Sequence, residues 1–508
     1  MFRRRLAFCA SVSAGSYLLL SAPHYARRSE ENEAVKVPRP PPLPKKPPTQ
    51  RPLSPLYSPL LEEKSQIRLL SLRHDSPSDD LRCDLNVVSL DAHPQFYALS
   101  YTWGEPINHT HSLWTLPGLY RFLRELYRSL FVGPRTIFVN GQPFSVTDNL
   151  HAALTQLRGE EHALPFWIDQ ICINQGDPDE KASQVGLMAT IYDRAARTYI
   201  WLGPRADASD DAMDFINAVH ERGLLGARQR QLHGTGPVPG PALHALFARS
   251  WWERIWVVQE MFLSRRATVK CGAREADLAA FASVAALADG DDGAVSRHFG
   301  RAAVSSTTTT TSDGEEQAQT LTIMPPDYPF RGLLRLWGQR AAVDAGHATM
   351  WLEDALLSAA VGLDGPPSLE KRWQMPAMGL WQWVYQTQRF RSTMRRDRVF
   401  ALLGIARKED RDSVRVSYPE AGADDAAVER GDCEIFTEAA VWMINNEKNL
   451  DVLQLSWPGN KALGGLPSWV PDFSTVSGDK MDTLMLGYRA DGGPLAWSKL
   501  TPNAVVAE

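Results

Sequence analysis

The stretch from Leu164 to Gly203, LPFWIDQICINQGDPDEKASQVGLMATIYDRAARTYIWLG, constrains the fold of this chain more than any other. Phe166, Trp167 and Ile168 form a short apolar run ending at Asp169, the pattern of a strand buried on both faces. Gln170, Cys172, Asn174 and Gln175 follow before any helix signal. Asp177 then reads as an N-cap, with Pro178 at the first helical position and Glu180 three residues after the cap, a capping box. Val185, Met188, Ala189 and Tyr192 recur at helical spacing as the buried stripe, and Glu180 and Gln184, four apart, lie beside it. A second strand, Thr198 to Leu202, ends at Gly203-Pro204. The expected unit is a right-handed βαβ crossover, with its polar loop at the sheet edge where α/β proteins bind ligands.

The rest of the chain extends this pattern. Strands are expected at Ile67–Leu72, Cys83–Leu90 and Phe96–Tyr101. Asn140-Gly141-Gln142, between Thr136–Val139 and Pro143–Val146, signals a hairpin. Helices are expected from Thr147 or Asp148 through Leu157, at Asp210–Arg222, at Pro241–Arg249 and at Trp251–Phe262. Alternating strands and helices predict an α/β fold, a mostly parallel sheet flanked by helices. From Asp289 the pattern loosens into a Ser/Thr-rich run, and after Tyr328 it becomes helical, at Leu333–Ala342, Trp351–Val361, Arg396–Ile405 and Ala426–Ile444. The expected organisation is a leader and proline-rich linker over 1–66, an α/β domain over 67–288, a loop or linker over 289–327, a helical region over 328–475 and a tail over 476–508.

Composition narrows the function. With 508 residues, 44% hydrophobic and 22% charged, the chain is long enough for several cores. A net charge of -5 gives no sign of nucleic-acid binding. The five cysteines are scattered without metal-ligand spacing, so no disulfide framework or metal site is expected. The P-loop, dinucleotide-binding GxGxxG, zinc-protease HExxH and hydrolase GxSxG motifs are absent. Arg3, Arg4 and Arg5 precede a weakly apolar run from Leu6 to Ala22 with no acid before Glu30. That leader reads either as a targeting signal or anchor, or as an apolar disordered segment, and membrane contact is expected only through it.

Several ordered blocks carry a resemblance. They are Tyr97–Gly104 (YALSYTWG), Phe166–Gln175 (FWIDQICINQ), Gln184–Tyr192, Trp201-Leu202-Gly203 and Arg249–Glu260 (RSWWERIWVVQE), followed downstream by Arg396–Gly404 and Leu466–Phe473. In this order and spacing the chain resembles the fungal heterokaryon incompatibility (HET) domain family. The resemblance implies a TIR-like, flavodoxin-like module acting in non-self recognition and programmed cell death, with itself or another protein of the incompatibility system as partner. It implies a cytoplasmic location, with a mitochondrial or membrane-targeted alternative because of the leader. No cofactor is expected, although the distant TIR likeness makes NAD a possible substrate.

Candidate residues carry two readings each. Asp169 is either a ligand-facing, catalytic carboxylate or a tie for its own loop. Glu180 is either a catalytic carboxylate or the capping-box acid. Glu105, Asn174, Gln175 and Gln184 are candidate ligand-binding groups, and Glu105 and Asp169 share a crevice if their strands are neighbours. Cys172, flanked by isoleucines, reads as buried rather than nucleophilic. Trp251, Trp252 and Trp256 are either an assembly surface or core.

Overall fold

The computed structural model describes residues 56–74, 80–107, 135–160, 162–226, 239–288, 308–310, 316–318, 334, 378–420, 422–448, 450–455 and 462–475. All belong to the unit Ser54–Glu508. The leader, most of the proline-rich linker, the tail after 475 and the helices expected at Leu333–Ala342 and Trp351–Val361, apart from Leu334, lie outside the described residues.

The N-terminal strands are β1 (Gln66–Leu72), β2 (Arg82–Ser89), β3 (Tyr97–Tyr101), β4 (Arg135–Val139) and β5 (Gln142–Val146). Helix α1 (Asp148–Arg158) starts at Thr147, whose side chain accepts the Leu150 N–H. Strand β6 (Phe166–Trp167), a single turn α2 (Asp169–Cys172), helix α3 (Pro178–Arg194) and strand β7 (Arg197–Trp201) make up the central crossover. Then come α4 (Ser209–Gly226), α5 (Gly240–Phe247), a 3-10 turn (Ser250–Glu253), α6 (Trp256–Leu263), β8 (Ala267–Cys271), β9 (Arg274–Asp277) and α7 (Leu278–Ala288). Short strands β10 (Thr308–Thr310) and β11 (Glu316–Ala318) pair antiparallel inside the Ser/Thr-rich segment. The C-terminal helices are α8 (Leu380–Gln386), α9 (Asp397–Leu403), α10 (Lys408–Arg411) and α11 (Asp425–Glu447).

Nine strands form one mixed sheet in the order β5-β4-β2-β1-β6-β3-β7-β8-β9. Strands β6, β3, β7 and β8 are parallel to one another. Numbered among themselves by chain order they run 2-1-3-4, the doubly-wound flavodoxin-like order over its first four strands. Antiparallel pairs of β1 with β2 and β6, of β4 with β5 and of β8 with β9 extend the sheet on both sides. The α/β class expected from the sequence is therefore the class that forms. The hairpin at Asn140-Gly141 turns with both residues at positive φ, 50° and 77°, the backbone that Asn-Gly supplies most cheaply.

Both faces of the sheet are covered, as β7 shows residue by residue. Ile200 belongs to one apolar cluster, while Tyr199 and Trp201 belong to the other. Successive strand side chains point to opposite faces, so each cluster lies against one face. One cluster holds β1, β2, α1 and the α3 stripe of Val185, Met188, Ile191 and Tyr192. The other holds α5, α6 and α7 together with Leu380, Trp383, Val399, Phe400, Phe436 and Phe473. The C-terminal helices thus complete a core that the α/β region begins.

The downstream block RDRVFALLG explains how these helices are fixed. Arg396 donates to the Asp432 carboxylate at 2.7 Å with both side chains buried. Arg398 donates to the carbonyls of Thr387, Gln388, Phe390 and Phe473, and burial lowers its pKa to about 10. Asp397 accepts from the Tyr418 hydroxyl at 2.9 Å, and Lys181 of α3 lies 4.5 Å from the Tyr418 ring centre.

Candidate functional site

The site forms where β3 and β6, parallel neighbours, end and their chains leave the sheet. Strand β6 gives way to α2, whose first residue is Asp169. Its Oδ1 accepts the Gln170 N–H at 2.7 Å and its Oδ2 accepts the indole N–H of Trp103, from the turn after β3, at 2.9 Å. The Tyr101 hydroxyl donates to Gln170 Oε1 at 3.1 Å. Asp169 thus ties two loops together, the second of its two sequence readings, at the kind of sheet edge where doubly-wound folds bind ligands. Glu105 lies in the same turn as Trp103 and is exposed, with its carbonyl accepting the Ser250 hydroxyl at 2.6 Å. Its strand does neighbour that of Asp169.

A half-buried cation faces this edge. Arg254, just before α6, donates to the Tyr101 carbonyl. Its charge acts on two carboxyl groups, Asp169 and Glu260. Burial pushes Asp169 above the ordinary carboxylate range, opposed by Arg254 and by the hydrogen bonds from Trp103, Gln170 and Tyr101. Burial pushes Glu260 up to about 7, with Arg254 and the Ser100 hydroxyl pulling down and the Asp169 charge pushing up. Ser100 bonds Glu260 and accepts the Trp251 indole N–H at 2.7 Å. The same burial holds the Tyr101 and Tyr192 hydroxyls well above their usual range. Glu260, raised to about 7 beside this guanidinium, can hold and move a proton near neutral pH, the property required of an acid–base group.

The end of β7 is closed. Asn149 of α1 donates to the Thr102 carbonyl at 2.8 Å and accepts the Trp201 indole N–H at 2.9 Å, bracing β3 against β7. Arg249 donates to the carbonyls of Leu202 and Pro204, each at 3.1 Å. Gly203 lies between them at φ 111°, where an added Cβ would stand 2.6 Å from Pro106 and 2.9 Å from Arg249.

The other candidates fall elsewhere. Asp177 caps α3 as expected, accepting the N–H groups of Asp179 and Glu180. The Glu180 carboxylate does not return to the cap. It meets Arg68 of β1 at 2.6 and 2.9 Å and accepts the Asn174 N–H at 2.7 Å. The capping-box reading is therefore corrected, because a buried guanidinium 112 residues away outcompetes the cap N–H for this carboxylate. Both Glu180 oxygens are thus engaged by Arg68, and Oε1 also by the Asn174 N–H. Asn174 closes a local turn through its Oδ1 and the Gly176 N–H, and Gln175 donates to the Asp169 carbonyl. Gln184 is buried and donates to the Gln66 carbonyl. Cys172 is buried, and burial pushes its thiol up to about 12.

The assembly-surface reading of the tryptophans is also corrected. Trp251 and Trp252 are 0% exposed and stack edge to face, because Ser250–Glu253 is a 3-10 turn that points both rings inward. Trp256 is partly buried and packs against both clusters. Sequence reasoning passed over Arg68 and Arg254. An arginine inside the apolar run Gln66–Leu72 was the available signal for Arg68.

Together the elements define a mixed α/β domain with a charged cluster at the carboxyl end of its parallel strands and a helical region sealing one face. Residues 96–260 match the family model described as heterokaryon incompatibility protein (HET). It is 26% identical over 469 residues to heterokaryon incompatibility protein 6, OR allele, of Neurospora crassa, an alignment covering 82% of this chain and 58% of that protein. The chain thus spans a little over half the length of this relative. No solved structure matches it.

Proposed function

We propose that this protein acts in fungal heterokaryon incompatibility, as an effector or signalling module of non-self recognition whose output is growth arrest or cell death. The observation that carries the reading is the match of residues 96–260 to the HET family together with similarity to a named incompatibility protein along most of the chain. Regulated self-association or binding to another protein of the system is the mode of action. The test is inducible expression of the full chain in fungal cells, scoring viability and the location of a fluorescent fusion, with Arg254→Met and Glu260→Gln as variants. Loss of viability that the variants relieve supports the reading. Normal growth with abundant soluble protein overturns it. A cytoplasmic location is expected, and the Arg3–Arg5 leader makes a mitochondrial or membrane address the alternative.

A second reading, hydrolysis of NAD to nicotinamide and ADP-ribose, is favoured by the raised carboxyls of Asp169 and Glu260 around Arg254. An ionised carboxylate would stabilise the oxocarbenium-like ribosyl carbon as the bond to nicotinamide breaks. Water then adds to that carbon and releases a proton. Incubating purified protein with NAD, with Asp169→Asn and Glu260→Gln as controls, tests this, and absence of turnover by folded protein sinks it.

A further inference from the structure

Trp103 is the exposed large aromatic among the described residues, with 38% of its surface in solvent. Other tryptophans of the same region, Trp167, Trp201, Trp251 and Trp252, are buried. Trp103 is nonetheless held in place. Its indole N–H is bound by Asp169 Oδ2, and Asp169 Oδ1 is bound by the Gln170 N–H. One edge of the ring is therefore fixed by a carboxylate that is itself fixed, while the ring remains open to solvent. A rigid, exposed indole loses little entropy when something stacks on it.

Three further observations converge on the same spot. Trp103 and Gln170 stand at the carboxyl ends of two adjacent parallel strands, the edge where doubly-wound sheets bind ligands. Gln170 has its Oε1 occupied by the Tyr101 hydroxyl, which orients the amide, while its Nε2 donor has no protein partner among the described residues. Gly104, next to Trp103, has no atom of the described residues within 4 Å of where a Cβ would stand, so among them the space beside the ring is open.

We propose that Trp103 and Gln170 form a binding site for the base of a nucleoside or nucleotide. The base stacks on the Trp103 ring, and the Gln170 Nε2–H donates to a ring nitrogen or exocyclic oxygen. Stacking supplies affinity with little base preference, and the amide supplies orientation. Among ligand chemistries, a heteroaromatic ring with in-plane acceptors satisfies both the open indole and the oriented donor. A plain hydrocarbon ring leaves the amide unused, and a sugar phosphate leaves the indole unused. The site stands whether or not the ligand is cut.

Isothermal titration calorimetry of the full chain with AMP, UMP and ribose 5-phosphate tests the proposal. AMP binds, UMP binds more weakly through its smaller ring, and ribose 5-phosphate gives no heat. Trp103→Ala weakens AMP binding by roughly five- to a hundredfold, the range for losing one stacked base, and Trp103→Phe keeps most of it. Gln170→Leu, on a half-buried side chain, weakens binding severalfold and keeps the test valid if Trp103→Ala does not fold. No binding of either nucleotide at millimolar concentration, equal binding of ribose 5-phosphate, or unchanged affinity in Trp103→Ala or in Gln170→Leu overturns the site. AMP binding together with no turnover of NAD by the same folded protein supports the site while removing the NAD-hydrolysis reading.

Discussion

Arg68 and Glu180 meet through two hydrogen bonds of 2.6 and 2.9 Å, joining the edge of the central crossover to a strand 112 residues earlier. Arg68 also donates to the carbonyls of Cys172 and Ser58, and its guanidinium lies 4.8 Å from the Tyr57 ring centre. One buried cation thereby fixes the N-terminal approach segment, β1 and the polar loop before α3.

Glu180→Gln should therefore be strongly destabilising. It leaves a buried guanidinium without its counter-charge, which typically costs about 3–5 kcal/mol. Replacing both partners, as Arg68→Met with Glu180→Leu, should recover a large part of that loss. Urea denaturation of the two variants beside the parent measures the difference, and a double variant less stable than the single one would contradict the account.

Glu260 gives stability a pH dependence of defined sign. Its folded pKa, about 7, lies above the ordinary glutamate value of 4.5, so the folded state holds this proton where the unfolded state has lost it. Its favourable contribution is complete below about pH 4.5, falls as pH rises, and is gone above about pH 7. Glu260→Gln keeps an uncharged group there at every pH. The variant should gain on the parent as pH rises from 5 to 8, by on the order of 3 kcal/mol at the upper end. Thermal melts at matched ionic strength check this, and a difference that does not change with pH would count against it.

Gly203→Ala should cost about 2 kcal/mol or more. The position needs positive φ, and the added methyl would press on the Pro106 ring and Arg249. A lowered melting midpoint is the expected result. Gly104→Ala, in open space, is the control and should leave the midpoint unchanged.

A chain ending at Ala288 should not fold cooperatively. The apolar cluster against one face of the sheet takes Leu380, Trp383, Phe400 and Phe436 from beyond that point, and each buried large side chain supplies about 1.5–3 kcal/mol. Near-UV circular dichroism should show lost tertiary signal with helix retained. A sharp two-state melt from the truncated chain would show that the α/β region is self-sufficient.

What the sequence made legible was local. Asp177-Pro178 announced the start of α3, Asn140-Gly141 announced the hairpin, and the apolar runs announced β3, β6 and β7. These signals act within a few residues, where backbone preference and capping decide the outcome. What stayed hidden depends on distant partners. The destination of the Glu180 carboxylate requires Arg68, and the raised pKa of Glu260 requires its burial beside Asp169. Trp251 and Trp252 looked like a helical stripe, and only the 3-10 turn and the C-terminal helices make them interior. Asp169 was legible as a position at the end of a strand, but its bond to Trp103 was not.

The backbone around Arg254 has one further consequence. The Ile255 N–H donates to the Arg391 carbonyl at 2.8 Å and the Arg391 N–H donates to the Glu253 carbonyl at 2.6 Å, so the stretch that carries Arg254 is stitched to a stretch far downstream. The stitch, rather than the number of residues between its two ends, sets their spacing. The geometry of the carboxyl cluster therefore depends on a downstream stretch that contributes no residue to it.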